Sequence, residues 1–135
     1  MLSLTELSLP SLLTTIGDST CNGCSSLRKL TFPVALTTIG EFSFRDCALT
    51  ELTLPAAITT IRGFAFRGNI YLTKLTLPAT LAALGYGSFR GCSSLTEVNL
   101  PATLTTIGDL AFYDCPLIKP ALPAALTTIG DRAFG

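Results

Sequence analysis

Leucine and isoleucine recur along this chain in a pattern of nearly constant length. Residues 72–94, LTKLTLPATLAALGYGSFRGCSS, contain an L-x-x-L-x-L segment, a proline, an L-x-x-L step, a glycine, a phenylalanine and a cysteine. Edited copies fill the sequence as residues 4–26, 27–48, 49–71, 72–94, 95–116 and a truncated 117–135. Such a repeat predicts a solenoid, one domain over residues 1–135, in which each coil packs only on its neighbours.

Each part of the repeat predicts a local structure. The L-x-x-L-x-L segment predicts a short strand whose leucines, such as Leu72, Leu75 and Leu77, face inward. The proline that follows ends the strand, because it has no N–H for the ladder. The threonine-rich step predicts an extended segment on the other side of the coil. The G-x-x-A/S-F-x-G/D-C segment predicts one short helical or 3₁₀ turn. We therefore expect about six coils with a parallel β-sheet on one face.

The full pattern, L-x-x-L-x-L-P-x-x-L-T-x-I-G-x-x-A-F-x-G-C-x-x, resembles the BspA-like leucine-rich repeat family. The resemblance covers essentially the whole chain. It implies a solenoid of the α/β leucine-rich-repeat type. It also implies protein–protein interaction or adhesion, often at a cell surface, with no shared chemistry.

The charges of the chain cancel, since nine basic residues stand against nine acidic ones. Nucleic acids and anionic membranes select an excess of Lys and Arg, so this balance predicts neither as a partner. Every apolar run is shorter than the roughly 18 residues of a membrane span, so we expect no membrane insertion. The first repeat begins at Leu4, which leaves no room for a signal peptide, and the compartment stays open.

Neither end of the repeat array carries a polar capping segment. The first leucine unit begins at Leu4, and the last copy stops at Gly135, before its cysteine position. An uncapped end exposes half of a core. We therefore expect a piece of a longer array, displayed on the cell surface if the parent protein is secreted, or ends that a partner covers. End-to-end self-association is another way to cover them.

The sequence contains no constellation typical of catalysis. It has no histidine, which removes the usual general base and the Ser-His and Cys-His pairs. Cys24, Cys47, Cys92 and Cys115 share one repeat column with Asn69, which predicts a small buried side chain bonded to the backbone. The Cys21-x-x-Cys24 pair lacks the second pair of ligands that a zinc site needs. We predict no enzymatic activity, no metal and no cofactor.

Opposite charges alternate along the outward side of the predicted strands. The column reads Glu6, Lys29, Glu51, Lys74, Glu97 and Lys119. At a strand spacing of about 4.8 Å each charge meets its opposite, which stabilises the array by about 0.2–1 kcal/mol per exposed pair. The ladder has two interpretations. It is purely structural, or it also docks a partner through Arg28, Glu51, Lys74 and Glu97.

A second column places three arginines side by side. It reads Asn22, Arg45, Arg67, Arg90 and Tyr113, and we call Arg45, Arg67 and Arg90 the arginine row. Like charges in a row repel, which requires either nearby carboxylates, such as Glu41, Asp46 and Asp114, or an anionic ligand. The row is therefore either a solvated strip screened by those acids or a site for an anion or an acidic partner.

Aromatic side chains flank the arginine row. Phe42 and Phe64 lie in a neighbouring column, and we expect them to fill the core. Tyr71 and Tyr86 are the better candidates for exposed contacts. On the face of the charge ladder, by contrast, only Arg28 is of a residue type enriched in interface hot spots.

These features favour a non-enzymatic repeat scaffold that mediates interaction with an unknown protein partner, or adhesion. A purely structural spacer within a larger surface protein is the alternative. A remote alternative is binding to ice or another crystal surface, because threonine pairs such as Thr14-Thr15 and Thr105-Thr106 repeat at the coil spacing. Ala82-Ala83 interrupts those threonine columns.

Overall fold

The computed structural model describes residues 4–135, which wind as a parallel β-solenoid of about five turns. On one side of the coils lie the strands β1 (Glu6–Ser8), β3 (Lys29–Thr31), β5 (Glu51–Thr53) and β7 (Lys74–Thr76). On the other side lie β2 (Thr15–Ile16), β4 (Thr38–Ile39), β6 (Thr60–Ile61), β8 (Ala83–Leu84), β9 (Thr106–Ile107) and β10 (Thr128–Ile129). Turns and loops connect them. The strands are short because proline or glycine follows each one within a few residues.

The register of the strands confirms the repeat columns. Glu51 is the parallel partner of Lys74, and Leu52 is the partner of Leu75. On the opposite side Thr60 is the partner of Ala83. Residues one repeat apart are therefore lateral neighbours, as the spacing predicts.

The two sides of the solenoid differ in how continuously their strands pair. On the side of the charge ladder, β1 pairs with β3 and β5 pairs with β7, and β3 and β5 are not hydrogen-bonded to each other. Residues 95–100 and 117–122 on that side form no strand. Pro120 contributes to this, since it lacks the N–H that pairing requires. The threonine side is more continuous, with β6, β8, β9 and β10 in one four-stranded sheet.

The turn segments contain two left-handed residues per coil where we predicted a helical turn. In the third coil these are Phe64 (φ 57°) and Gly68 (φ 78°), and in the second coil they are Phe42 (φ 58°) and Asp46 (φ 57°). The Arg67 N–H donates to the Phe64 carbonyl oxygen at 3.2 Å, which closes a single turn. A left-handed residue cannot continue a right-handed helix. The segment is therefore a succession of separate turns, and no helix forms within residues 4–135.

A stack of phenylalanine rings runs through the core. Phe44, Phe66, Phe89 and Phe112 are fully buried, and consecutive rings lie 5.4–5.7 Å apart with planes within 9° of parallel. Half-buried Phe134 extends the stack by one ring. Inward leucines and isoleucines surround it. Burying one such side chain contributes about 1.5–3 kcal/mol, and only stacked coils bury them.

Four members of the asparagine and cysteine column are buried and bond to the backbone, as predicted, whereas the fifth, Cys24, is half-buried. The Asn69 side-chain N–H₂ donates to the carbonyl oxygens of Phe44 and Phe66, both at 2.9 Å, and its side-chain oxygen accepts from the Leu49 N–H at 3.2 Å. In the same column the Cys115 thiol donates to the Phe89 carbonyl oxygen at 3.0 Å. These bonds satisfy buried backbone groups between neighbouring coils.

Candidate functional site

The turns bring the arginine row together on one surface. Each arginine lies between the two left-handed positions of its coil, and its side chain is half-buried. The Asp46 N–H donates to the Arg67 carbonyl oxygen at 2.7 Å, and the Gly68 N–H donates to the Arg90 carbonyl oxygen at 2.8 Å. The Gly91 N–H continues the series to Tyr113 at 2.7 Å. Consecutive members of the row are therefore fixed one coil apart.

Each arginine of the row lies over an aromatic ring. The guanidinium carbon of Arg45 is 5.6 Å from the ring centre of Phe42, and that of Arg67 is 5.7 Å from Phe64. The Arg90 guanidinium lies 5.3 Å from the Tyr113 ring, which explains why a tyrosine continues this column. Such cation–π contacts contribute about 0.5–1 kcal/mol at exposed sites, and they restrict where each guanidinium can point.

Phe42 and Phe64 are half-buried beside the row, so the prediction that they fill the core is wrong in part. They occupy the first left-handed position of their coils. The phenylalanine two residues later, Phe44 or Phe66, fills the core instead. Their rings stack at 5.0 Å, and Tyr86 continues the strip 5.0 Å from Phe64. The fourth coil has Gly87 at this position, where a Cβ would lie 2.6 Å from the Phe64 ring. The preceding Tyr86 supplies the ring instead.

Carboxylates screen the arginine row only at one end. Arg45 forms an ion pair with Asp46, with the Nε and Oδ2 atoms 3.1 Å apart. Within residues 4–135 no carboxylate oxygen lies within 4.0 Å of the Arg67 or Arg90 guanidinium. The expected screening by Glu41 and Asp114 is therefore not found as ion pairs in the described part of the chain.

The charge ladder on the strand side exists as isolated pairs. The Lys29 and Glu6 side chains are 4.0 Å apart and those of Lys74 and Glu51 are 3.9 Å apart, each at least 70% exposed. The ladder breaks where strands do not pair, and there the surface opens into two clefts of about 520 and 530 Å³. Lys74, Glu97 and Lys119 line the first cleft, and Arg28, Lys29 and Glu51 line the second. Exposed pairs of this kind add little stability.

The buried thiols of Cys21 and Cys47 are poor nucleophiles. Burial raises the pKa of the Cys21 thiol to about 11 and that of Cys47 to about 12. Because the thiolate is the reactive form, both thiols stay protonated and inert near neutral pH. Within residues 4–135 no cluster of three or more metal-binding side chains is found. That same part of the chain contains no helix long and apolar enough to cross a membrane.

The threonines of the extended side bind the coils to one another. The Thr37 hydroxyl donates to the Thr14 carbonyl oxygen at 3.1 Å, and the Thr105 hydroxyl donates to that of Ala82 at 3.2 Å. These donors point along the backbone of the preceding coil. The threonine columns thus serve the packing of the solenoid.

Parallel strands stacked one repeat apart, with a buried phenylalanine stack and a buried asparagine and cysteine column, define a leucine-rich-repeat solenoid. The sequence profile of the BspA type leucine rich repeat region matches residues 1–82 and 59–135. The chain belongs to this family. Proteins of the family are repeat scaffolds, typically non-catalytic, that generally take part in protein interaction or surface adhesion.

Solved structures show the same fold. A leucine-rich repeat protein from Bacteroides ovatus is 29% identical with a TM-score of 0.87, and the T. pallidum leucine rich repeat protein TpLRR is 28% identical with a TM-score of 0.85. The matches cover 94% and 95% of this chain, but only 39% of the B. ovatus chain and 70% of TpLRR. The pneumococcal vaccine antigen PcpA, 24% identical with a TM-score of 0.52 over 94% of this chain and 47% of its own, shares the fold alone. No protein with a curated description matches the sequence.

Proposed function

We propose that this chain is a non-catalytic interaction array that binds an acidic protein partner through the arginine row and Tyr113. One observation carries the proposal. Three arginines from adjacent coils are held against aromatic rings, and two of them have no carboxylate within 4.0 Å in the described part of the chain.

The aromatic contacts leave the hydrogen-bonding capacity of the row available. A cation–π contact with a ring uses no oxygen acceptor, so it leaves the N–H donors of the guanidinium free to bond to a ligand. Those donors match the two oxygens of a carboxylate. Because the arginine side chains are already restricted by the rings, they lose less conformational entropy when a partner binds.

The strand side offers a weaker alternative for docking. Its charges Glu51 and Lys74 already pair with each other, and Arg28 and Glu97 lie in separate clefts. A spacer role within a larger surface protein needs no binding face at all, and it predicts that no partner depends on the arginine row. Display on a cell surface as part of a longer protein, and end-to-end self-association, are compatible with either role.

The test compares two variants with the same change in charge. One replaces the row by Arg45→Gln, Arg67→Gln and Arg90→Gln, and the control carries Arg28→Gln, Lys29→Gln and Lys74→Gln on the strand side. Circular dichroism checks that both fold. Cross-linking to an extract of the source organism, read by quantitative mass spectrometry, should recover acidic proteins with the native chain and the control but not with the row variant. Equal recovery by the row variant would contradict the proposal.

A further inference from the structure

The neutral charge of the whole chain conceals a strongly basic centre. No Asp or Glu occurs between Glu51 and Glu97. That stretch, residues 52–96, contains Arg62, Arg67, Lys74 and Arg90, so four positive charges stand against none. It corresponds to most of the third and fourth coils. Apart from Glu51, which pairs with Lys74 and lies near the start of the third coil, the acidic residues of the chain lie in the coils on either side.

Three of these charges lie on the turn side. Arg67 and Arg90 belong to the arginine row, and Arg62 is exposed at the start of the turn that contains Arg67. The Ala65 N–H donates to the Arg62 carbonyl oxygen at 3.3 Å, which fixes Arg62 within that turn. Arg45 differs from them, because Asp46 already neutralises it.

Exposed apolar side chains lie in the same two coils. Tyr71 is 57% exposed, Tyr86 is 48% exposed and Ile70 is 47% exposed. Along the third coil, Arg67 lies between half-buried Phe64, three residues before it, and Ile70, three residues after it. The Ser94 hydroxyl donates to the Ile70 carbonyl oxygen at 2.7 Å, so the backbone beneath this apolar surface is held by the next coil.

We propose that these residues form one docking surface for an extended acidic segment of a partner protein, with apolar side chains between its carboxylates. The surface, which we call the central patch, consists of Arg62, Arg67, Arg90, Ile70, Tyr71 and Tyr86. This inference rests on the proposed function and narrows it to the third and fourth coils, without Arg45.

The chemistry of the patch selects this occupant over other anions. The arginines suit any anion and the tyrosine rings suit any flat or apolar group, but Ile70 gains only from a ligand that covers it with apolar groups. The bases or sugar rings of a nucleic acid or polysaccharide can stack on the tyrosines, but these ligands have few aliphatic groups to cover Ile70. In an extended peptide, side chains on one face repeat about every 6.7 Å, whereas Arg67 and Arg90 lie one coil spacing of about 4.8 Å apart, so their side chains must diverge by about 2 Å to meet successive carboxylates.

Three labelled peptides and one carbohydrate test the inference by fluorescence anisotropy on the full chain. The first peptide carries glutamates interspersed with leucine and serine, the second has serine for each leucine, and the third has glutamine for each glutamate. Oligogalacturonate serves as a polyanion without aliphatic side chains. We expect the first peptide to bind about tenfold more tightly than the other two peptides and the oligogalacturonate. Its affinity should fall as the salt concentration rises.

Variants of the chain separate the two contributions. The triple variant Arg62→Gln, Arg67→Gln and Arg90→Gln should lower the affinity for the first peptide about tenfold, because it removes three exposed charge pairs. The control Arg28→Gln with Lys29→Gln and Lys119→Gln makes the same charge change elsewhere and should leave binding unchanged. Ile70→Ser with Tyr71→Ser and Tyr86→Ser should lower the affinity for the first peptide to that for the second peptide, and it should leave the affinity for the second unchanged.

Four results would overturn part or all of the proposed docking surface. If the first two peptides bind equally well and the arginine variant loses binding of both, the apolar part of the inference is wrong and the proposed function still stands. Tighter binding of oligogalacturonate overturns the peptide as occupant. If Arg45→Gln weakens binding of the first peptide as much as Arg67→Gln does, the restriction of the site to the third and fourth coils is wrong. No binding of any probe overturns the inference, while the cross-linking experiment still decides the proposed function.

Discussion

Replacing Asn69 by alanine should destabilise the solenoid more than any exposed polar substitution. The Asn69 side chain is fully buried, and it is the hydrogen-bond partner of the Leu49 N–H and the Phe44 carbonyl group. The Phe66 carbonyl oxygen keeps a second partner, the Cys92 thiol at 3.5 Å. The substitution therefore leaves two buried backbone groups, the Leu49 N–H and the Phe44 carbonyl oxygen, without a partner in the described structure.

The expected cost follows from those two groups. A buried donor or acceptor left unpaired costs about 1–3 kcal/mol, so Asn69→Ala should lower the free energy of unfolding by about 2–6 kcal/mol. Asn69→Cys restores the residue typical of this column, and its thiol can donate to the Phe44 carbonyl as Cys115 does to Phe89. A thiol cannot replace the acceptor for the Leu49 N–H. Asn69→Cys should therefore cost about 1–3 kcal/mol.

A matched control comes from a hydroxyl that also bonds to the preceding coil. The exposed Thr80 donates to the carbonyl oxygens of Ala56 and Ile58 at 2.6 and 2.8 Å. Water can replace it, so Thr80→Ala should cost no more than about 1 kcal/mol. Urea unfolding followed by circular dichroism gives the three values, and hydrogen exchange at the Leu49 amide gives a local value. Exchange there should accelerate in both Asn69 variants. Equal stability of Asn69→Ala and Thr80→Ala would refute the reasoning.

The phenylalanine stack and the buried thiols give two further predictions. Phe66→Ala should lower the free energy of unfolding by about 3–5 kcal/mol, since it empties the core, whereas Phe64→Ala should cost about 1 kcal/mol or less; similar melting temperatures would contradict this assignment of core and surface. The folded pKa of Cys47, about 12, lies above its usual 9.0, so the unfolded chain releases this proton first. Stability should be complete below about pH 9 and decline toward pH 12. A urea midpoint that stays constant between pH 8 and pH 11 would argue against a buried thiol.

The sequence was sufficient to predict the solenoid and its columns. Repeats of 22 or 23 residues allow only one register, so the pairing of Glu51 with Lys74 followed directly. Continuity of the strand side could not be predicted in the same way. Whether β3 hydrogen-bonds to β5 depends on small shifts between coils, and the residue pattern of both strands is the same. The predicted charge ladder is therefore present only where strands pair.

The turn geometry was only partly encoded in residue types. The second left-handed position carries Gly23, Gly68 and Gly91, or Asp46 and Asp114, the residues that tolerate positive φ. That column could have indicated separate turns instead of a helix. The first left-handed position gave no such signal, because bulky residues such as phenylalanine rarely adopt it. For this reason Phe42 and Phe64 were assigned to the core when they lie beside the arginines.

The central patch was visible in the sequence as a stretch without acidic residues, and chain-wide composition concealed it. In a solenoid the core columns must stay alike, because each coil packs on neighbours of the same shape. Outward positions have no such constraint, so charge can collect in two coils while the total remains zero. The Debye length at physiological salt is about 8 Å, less than two coil spacings of about 4.8 Å. Charges two or more coils away are therefore largely screened, whereas Asp46 and Asp114, one coil from Arg67 and Arg90, still act on a ligand of the third and fourth coils. Net neutrality argues against a uniformly basic surface, and it leaves a local site for an acidic segment fully compatible with this chain.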